Sequence, residues 1–212
     1  MRLPKYSFCR SLGALLLSVS LSLWSGVAEA KNPFLSAISD DRALATFSGT
    51  EWGDEIGRKE LPFSARVVTT RIAKLAWGEV YQIAFESIRS QTGKPRTLQP
   101  LYFVTTDKEI FRLTADKPDE ALAKLKGLSG PPKFEPSELY GLTTGSRTYK
   151  ETGLTVAKVV VKGSRCLYTW NHNSGHFMTV EWQSGLGLTE IAQGRGARAD
   201  GYRLRRGAGL GR

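Results

Sequence analysis

Cysteine, histidine and long apolar runs are all scarce in this 212-residue chain. It contains two cysteines and two histidines, and beyond residue 30 no apolar run is long enough to span a bilayer. Two histidines alone fall short of the three or four convergent ligands of a typical zinc site. The sequence therefore predicts no metal ion, no other cofactor and no membrane span in the body of the chain.

The one extended apolar stretch lies near the N-terminus. Residues 1–30 combine early basic residues, an apolar segment from Leu12 to Trp24 and a small-x-small site ending at Ala30. This pattern is typical of a signal peptide cleaved after Ala30, and a retained N-terminal anchor is the alternative. We therefore expect one exported domain, residues 31–212, that is periplasmic or secreted.

Cys166 is the only cysteine of the expected mature chain, which excludes an intramolecular disulfide. A two-residue turn at residues 163–164 pairs Val161 with Cys166 and Val159 with Tyr168. This register places the thiol on the apolar face of a hairpin. There it is expected to act as a small hydrophobic side chain, because a reactive thiolate needs a polar, electropositive site.

Alternation of apolar and polar residues predicts an α+β to mostly β fold. From Phe63 onward, some seven to nine antiparallel strands are expected to follow one another in a meander sheet, either open or curled into a half-closed barrel. One hairpin turns at residues 107–108 and pairs Val104 with Phe111 and Tyr102 with Leu113. A single domain is expected, and division at the Pro/Gly-rich segment 128–136 is the alternative.

Two segments carry helix signals. Residues 32–49 are predicted to form one or two short helices, because Asn32 precedes Pro33 and Gly49 is read as a terminator. A further short helix is predicted over residues 116–126, with Asp116 as its cap and Gly127 after its end. The fold prediction is thus an N-terminal helical segment, a sheet and one helix packed against it.

Both histidines occur in the segment HNSGH, as His172 and His176. Matching the apolar faces of the flanking strands predicts a five-residue loop over 171–175, with Trp170 opposite His176. One histidine would then pack beside Trp170 and the other would lie exposed at the loop tip. A structural role is favoured over ligation, since two histidines in a short motif specify little.

An acidic cluster offers candidate partners for histidine catalysis. Glu51 and Asp54 lie with two further acids beside Trp52, and paired carboxylates next to an aromatic ring can perform acid–base hydrolysis. The cluster is also compatible with a solvated acidic loop, which is the favoured interpretation. A hydrolase using His172 or His176 with one of these carboxylates therefore stays an alternative.

Arginines accumulate near the end of a chain whose formal charge is +10. The candidate binding residues are Arg195, Arg198, Arg203, Arg205 and Arg206. Guanidinium groups on glycine-rich backbone can hold phosphate or carboxylate groups, although the same cluster could simply be a solvated sheet edge. The last six residues, 207–212, are expected to fray.

These observations favour a non-enzymatic exported binding domain. Its expected partner is another exported protein or an anionic component of the cell envelope, recognised through the basic C-terminal region. Export argues against nucleic acid as a partner. The alternatives are a β-barrel carrier of a small apolar ligand or lipid, and the envelope hydrolase described above.

Overall fold

The computed structural model describes residues 32–35, 41–57, 59–92, 96–114, 117–132, 149–151, 155–196 and 199–207. The strands are β1 (Arg42–Gly53), β2 (Leu61–Leu75), β3 (Gly78–Arg89), β4 (Leu101–Thr105), β5 (Ile110–Leu113), β6 (Tyr149–Glu151), β7 (Thr155–Lys162), β8 (Arg165–His172), β9 (Phe177–Gln183), β10 (Gly187–Arg195) and β11 (Asp200–Arg206). Helix α1 spans Pro118–Lys126, and a short 3-10 helix spans Asp54–Ile56. The predicted signal peptide and residues 208–212 lie outside the described residues.

All eleven strands belong to one antiparallel sheet, in the order β5-β4-β3-β2-β1-β11-β10-β9-β8-β7-β6. The chain forms two meanders, β1–β5 and β6–β11, which join where β1 pairs with β11. The sheet curls until both meanders bury side chains in one shared core, so that it is nearly closed into a barrel. The prediction of a mostly β, antiparallel meander with one helix is confirmed.

The barrel interior is filled by large side chains. Trp182, Tyr168 and Phe103 are almost completely buried, and they belong to strands on opposite sides of the barrel. The ring of Phe103 meets Trp182 edge to face at 5.0 Å between centroids and Tyr168 at 5.7 Å. Direct aromatic contact across the interior therefore holds the two meanders together.

Helix α1 covers the outer face of one end of the sheet. Ala121 and Leu125 pack against Val104, Phe111 and further apolar side chains of β2–β5. The hairpin between β4 and β5 has the predicted register, with Tyr102 opposite Leu113 and Val104 opposite Phe111. The short helix is thus confirmed, although Lys117 rather than Asp116 is its N-cap, and Asp116 itself lies outside the described residues.

The predicted N-terminal helical segment is wrong over residues 42–49, which form part of β1. Gly49 is not a helix terminator but a mid-strand residue, where a Cβ would lie 2.0 Å from the carbonyl oxygen of Arg203 on β11. Only glycine allows that approach of two backbones. Hydrogen bonding to β2 and β11 on both sides overrides the weak local helix signal.

The predicted register is confirmed in one hairpin of the second meander and wrong in the next. The turn at residues 163–164 has the predicted register, with Val161 opposite Cys166. The predicted five-residue loop over 171–175 is wrong, because Trp170 lies opposite Met178 and the His172 N–H donates to the His176 carbonyl at 2.9 Å. The loop has three residues, closed by the left-handed Gly175 (φ 84°). A shift of two residues keeps every side chain on its face, so the apolar pattern could not exclude it.

Within the described residues, no helix is long and apolar enough to span a membrane.

Candidate functional site

A hollow of about 450 Å³ opens at one end of the barrel, between β5 and the ends of β8–β10, and we name it the barrel mouth. Its lining residues are Arg112, Thr114, Trp170, His176, Phe177, Met178, Gln193, Gly194 and Arg195. Most of them alternate with outward-facing residues and so point to the interior side of the sheet. The barrel mouth is therefore the place where the curled sheet leaves its interior open to solvent.

The barrel mouth is rich in positive charge. Arg195 extends from the end of β10, and Arg112 faces it from β5. Burial raises the pKa of the neighbouring Tyr202, and the charges of Arg96 and Arg112 oppose that rise. The Arg96 guanidinium lies 6.0 Å from the centroid of the Tyr202 ring. The positive charges of Arg112 and Arg195 favour an anion at this end of the barrel.

A second hollow, of about 140 Å³, continues the first. The two share Gln193, Gly194 and Arg195, and the second is further lined by Arg96 and Tyr202. Tyr202 donates its hydroxyl hydrogen bond to the Gln193 side-chain oxygen at 3.3 Å. An elongated ligand could therefore extend from the barrel mouth along the ends of β10 and β11.

The floor of the second hollow rests on an ionic cluster around Arg96. Its guanidinium forms an ion pair with Asp200, donates to the Gly201 carbonyl at 3.0 Å and lies 3.6 Å from a carboxylate oxygen of Glu51. The same group lies over the rings of Phe63 and Tyr202. Arg96 is thus fixed from several directions, which places a rigid cation beside the hollow.

Glu51 is completely buried, and it is a structural partner rather than a solvated acid. Its carboxylate accepts hydrogen bonds from the Ser90 hydroxyl at 2.8 and 3.0 Å and from the Gln91 N–H at 2.8 Å. The interpretation of a solvated acidic loop is therefore wrong for Glu51, whereas Asp54 is exposed in the 3-10 helix. Trp52 follows Glu51 along an extended strand, so the two side chains point to opposite faces.

Both histidines lie at the tip of the β8–β9 hairpin, where they meet a serine instead of a carboxylate. His172 Nδ1 lies 2.6 Å from the Ser174 hydroxyl oxygen, and His176 Nδ1 lies 2.5 Å from the same atom. The His172 ring also stacks on Trp170, with centroids 6.3 Å apart. Among the described residues, no group of three or more His, Cys, Asp or Glu side chains converges as metal ligands would.

The C-terminal arginines do not act as one cluster. Arg203 and Arg205 lie on the outer face of β11, where they hold the two carboxylate oxygens of Glu190 at 3.2 and 2.8 Å. Arg206 donates to the Leu186 carbonyl at 2.5 Å, beside an apolar hollow of about 250 Å³. Arg195 alone reaches the barrel mouth, and Arg198 lies outside the described residues.

Sequence reasoning missed Arg96, Arg112 and Ser174. The apolar face of this hairpin, which carries Val104 and Phe111, was predicted from the sequence, but no role was predicted for Arg112. In the structure that apolar face packs against α1, and the Arg112 face turns to the barrel interior. The signal in the sequence is Phe103, an aromatic residue opposite Arg112 on this second face. It is buried in the structure, so both faces of the hairpin are covered.

Cys166 is 1% exposed and lies in the core, as expected from its register. Burial raises the pKa of its thiol to about 12 from an ordinary value of 9.0. Between about pH 9 and pH 12, the thiol is therefore mostly neutral in the folded protein and mostly ionised in the unfolded chain. This group therefore lowers the free energy of unfolding as the pH rises from about 9 towards 12.

We expect the folded protein to resist thiol reagents at pH 8, because the thiolate is the reactive form and Cys166 is both neutral and inaccessible. In a Cys9→Ser variant, which leaves one thiol, a chromogenic disulfide reagent should react fully only after denaturant is added. The unfolded chain supplies the matched control. Rapid stoichiometric reaction of the folded protein would contradict the assignment of Cys166 to the core.

No protein-family model matches the sequence, and no curated protein matches it significantly.

Proposed function

We propose that this chain is an exported, non-enzymatic binding domain that holds the anionic group of an envelope component in the barrel mouth. The observation that carries the proposal is the hollow of about 450 Å³ where Arg112 and Arg195 approach from β5 and β10 and Trp170 from β8. Its size falls in the range of about 300–1,000 Å³ that small ligands occupy in proteins. It also combines apolar walls with a few convergent polar groups, as ligand sites do.

The lining chemistry favours an anion that carries an apolar part. Guanidinium groups bind phosphate and carboxylate through paired N–H donors, which gives both affinity and orientation. The partly exposed Trp170 and Phe177 offer apolar surface next to those donors. An anionic lipid headgroup with the first carbons of its chains has this combination of properties.

The outer arginines support the proposal less directly. Arg203 and Arg205 share Glu190, so much of their charge is already compensated on the sheet surface. They contribute to the long-range attraction between anionic surfaces and the cleaved domain, whose net charge is about +8, the +10 of the full chain less the net +2 of residues 1–30. We therefore assign the specific contact with the anion to Arg195 in the barrel mouth, and not to the arginines of β11.

An Arg195→Gln variant is expected to bind a monomeric short-chain phosphatidylglycerol about 10-fold or more weakly than the unaltered chain. Loss of a hydrogen bond to a charged group costs about 1.5–3 kcal/mol, which corresponds to that change in affinity. Isothermal titration with dihexanoyl phosphatidylglycerol measures it. The zwitterionic phosphatidylcholine of the same chain length should bind much less tightly than the phosphatidylglycerol.

Arg205→Gln is the matched control, because it removes the same charge from the outer face of the sheet. It should leave the affinity nearly unchanged. Equal losses in the two variants would show that only overall charge matters, and absence of phosphatidylglycerol binding to the unaltered chain would reject the proposal for lipid headgroups.

The barrel mouth supports this function better than it supports the two alternatives. A carrier of apolar ligands would need interior space, and Trp182, Tyr168 and Phe103 fill the centre of the barrel. A hydrolase of the kind inferred from the sequence would need a carboxylate beside a histidine. Glu51 is instead bound by Ser90, Gln91 and Arg96.

A further inference from the structure

The tip of the β8–β9 hairpin brings two imidazole nitrogens to one point. The Nδ1 atoms of His172 and His176 lie on either side of the Ser174 hydroxyl oxygen, at 2.6 and 2.5 Å. The Ser174 N–H also donates to His172 Nδ1 at 3.2 Å, so this nitrogen is unprotonated and its lone pair accepts that hydrogen bond until a metal ion replaces it. Two imidazole nitrogens and one hydroxyl oxygen, all of them possible metal ligands, therefore converge at the surface.

The backbone holds these donors in place. The His172 N–H donates to the His176 carbonyl, and the Gly175 N–H donates to the His172 carbonyl, both at 2.9 Å. Stacking on Trp170 restrains the ring of His172. The tip also abuts the β10–β11 turn, where a Cβ on Gly196 would lie 3.2 Å from the Ser174 carbonyl oxygen. Both histidines, one at each end of this three-residue loop, therefore project from a restrained backbone.

We propose that this tip is a binding site for one divalent transition-metal ion of the Cu²⁺ and Zn²⁺ class. The ion is held by Nδ1 of His172 and Nδ1 of His176, and the Ser174 hydroxyl and water complete its coordination. Imidazole nitrogen is a preferred ligand for both metals, and among divalent ions Cu²⁺ binds such donors most tightly. With only two nitrogen ligands, the site is weaker than a structural zinc site.

Metal entry requires only a small change at the tip. Zn–N bonds are about 2.0–2.1 Å long, so two nitrogens on one ion lie at most about 4 Å apart. Both Nδ1 atoms contact one hydroxyl oxygen, and the ring centroids lie 6.2 Å apart. Rotation of the partly exposed His176 ring towards the restrained ring of His172 is the movement that binding requires. His176 also lines the barrel mouth, so the metal site is tested with the metal alone and no anionic ligand, and its failure leaves the anion-binding experiment unaffected.

The experiment uses untagged full-length chain with Cys9→Ser, titrated with Cu²⁺ or Zn²⁺ and no other ligand. The chain has two histidines in total, so imidazole signals can come only from this pair. We expect one Cu²⁺ per chain, and pulsed electron paramagnetic resonance should show two imidazole nitrogens on the ion. Cu²⁺ should bind more tightly than Zn²⁺.

Three variants complete the test. His172→Gln and His176→Gln should each weaken Cu²⁺ binding by at least about 10-fold, the loss seen even for outer-shell partners of metal ligands. Ser174→Ala keeps both imidazoles and should weaken it less. A single coordinated imidazole, or unchanged binding in either histidine variant, would overturn the site. Thermal melts of the metal-free variants, expected to match the unaltered chain, establish that they are folded.

Discussion

Replacement of Glu51 by alanine is expected to lower the free energy of unfolding by about 3–5 kcal/mol, the usual cost of breaking a buried ion pair from one side. The carboxylate is completely buried, and its removal takes an acceptor from the Ser90 hydroxyl and the Gln91 N–H and one of two carboxylate partners from Arg96, which keeps Asp200. At about 2–4 °C per kcal/mol, the melting temperature should fall by roughly 6–20 °C. Chemical denaturation followed by tryptophan fluorescence measures the change.

Glu55→Ala is the matched control, because Glu55 is an exposed acid of the adjoining 3-10 helix. Its effect should stay within about 0.5 kcal/mol. A double-mutant cycle with Arg96→Ala isolates the contact between the two charges and should give a coupling energy above about 0.5 kcal/mol. Strictly additive losses would show that Arg96 and Glu51 stabilise the barrel independently.

Truncation of Phe103 to alanine is the second change with a large expected effect. The ring is 1% exposed and meets both Trp182 and Tyr168 across the interior. Phe→Ala substitutions in cores cost about 3–5 kcal/mol, through lost burial and the cavity that remains. Because β4 and β8 lie far apart in the sheet order, this loss weakens the contact between the two meanders. Thermal unfolding by circular dichroism measures it.

Two further variants separate this contact from hydrophobicity in general. Phe103→Leu keeps most of the apolar volume and should cost less than about 1.5 kcal/mol. Leu44→Ala removes an apolar side chain that is 49% exposed, and it should change stability by no more than about 0.5 kcal/mol. A small effect of Phe103→Ala would mean that the barrel does not depend on aromatic contact across its interior.

Local chemistry in the sequence specifies some features of this fold completely. Two-residue turns at 107–108 and 163–164 fix hairpin register, so the opposing pairs Val104–Phe111 and Val161–Cys166 follow from the sequence. The β8–β9 hairpin has a longer turn, and a two-residue slip leaves the apolar faces matched. Its register depends on the left-handed Gly175 and on contacts that the apolar pattern does not encode.

The barrel mouth depends on non-local closure, which no short window of sequence contains. Arg112 and Arg195 lie on β5 and β10, in different meanders of the chain, and both line one hollow only because the sheet curls. In the same way, the polar residues Glu51 and Arg96 form an interior ion pair that hydrophobic patterning assigns to the surface. The sequence identifies Arg112 and Arg195 as cations, but it does not show that their side chains meet on the same side of the sheet.

The pairing of β1 with β11 has a consequence for how this protein reaches its folded state. The last strand of the chain lies between the first strand and β10, and through it the two meanders become one sheet. Contacts between residues so far apart in sequence must form after a long loop has closed, which makes folding slow. The hairpins can form early, but the barrel can be completed only when residues 200–206 are available to pair with β1 and β10.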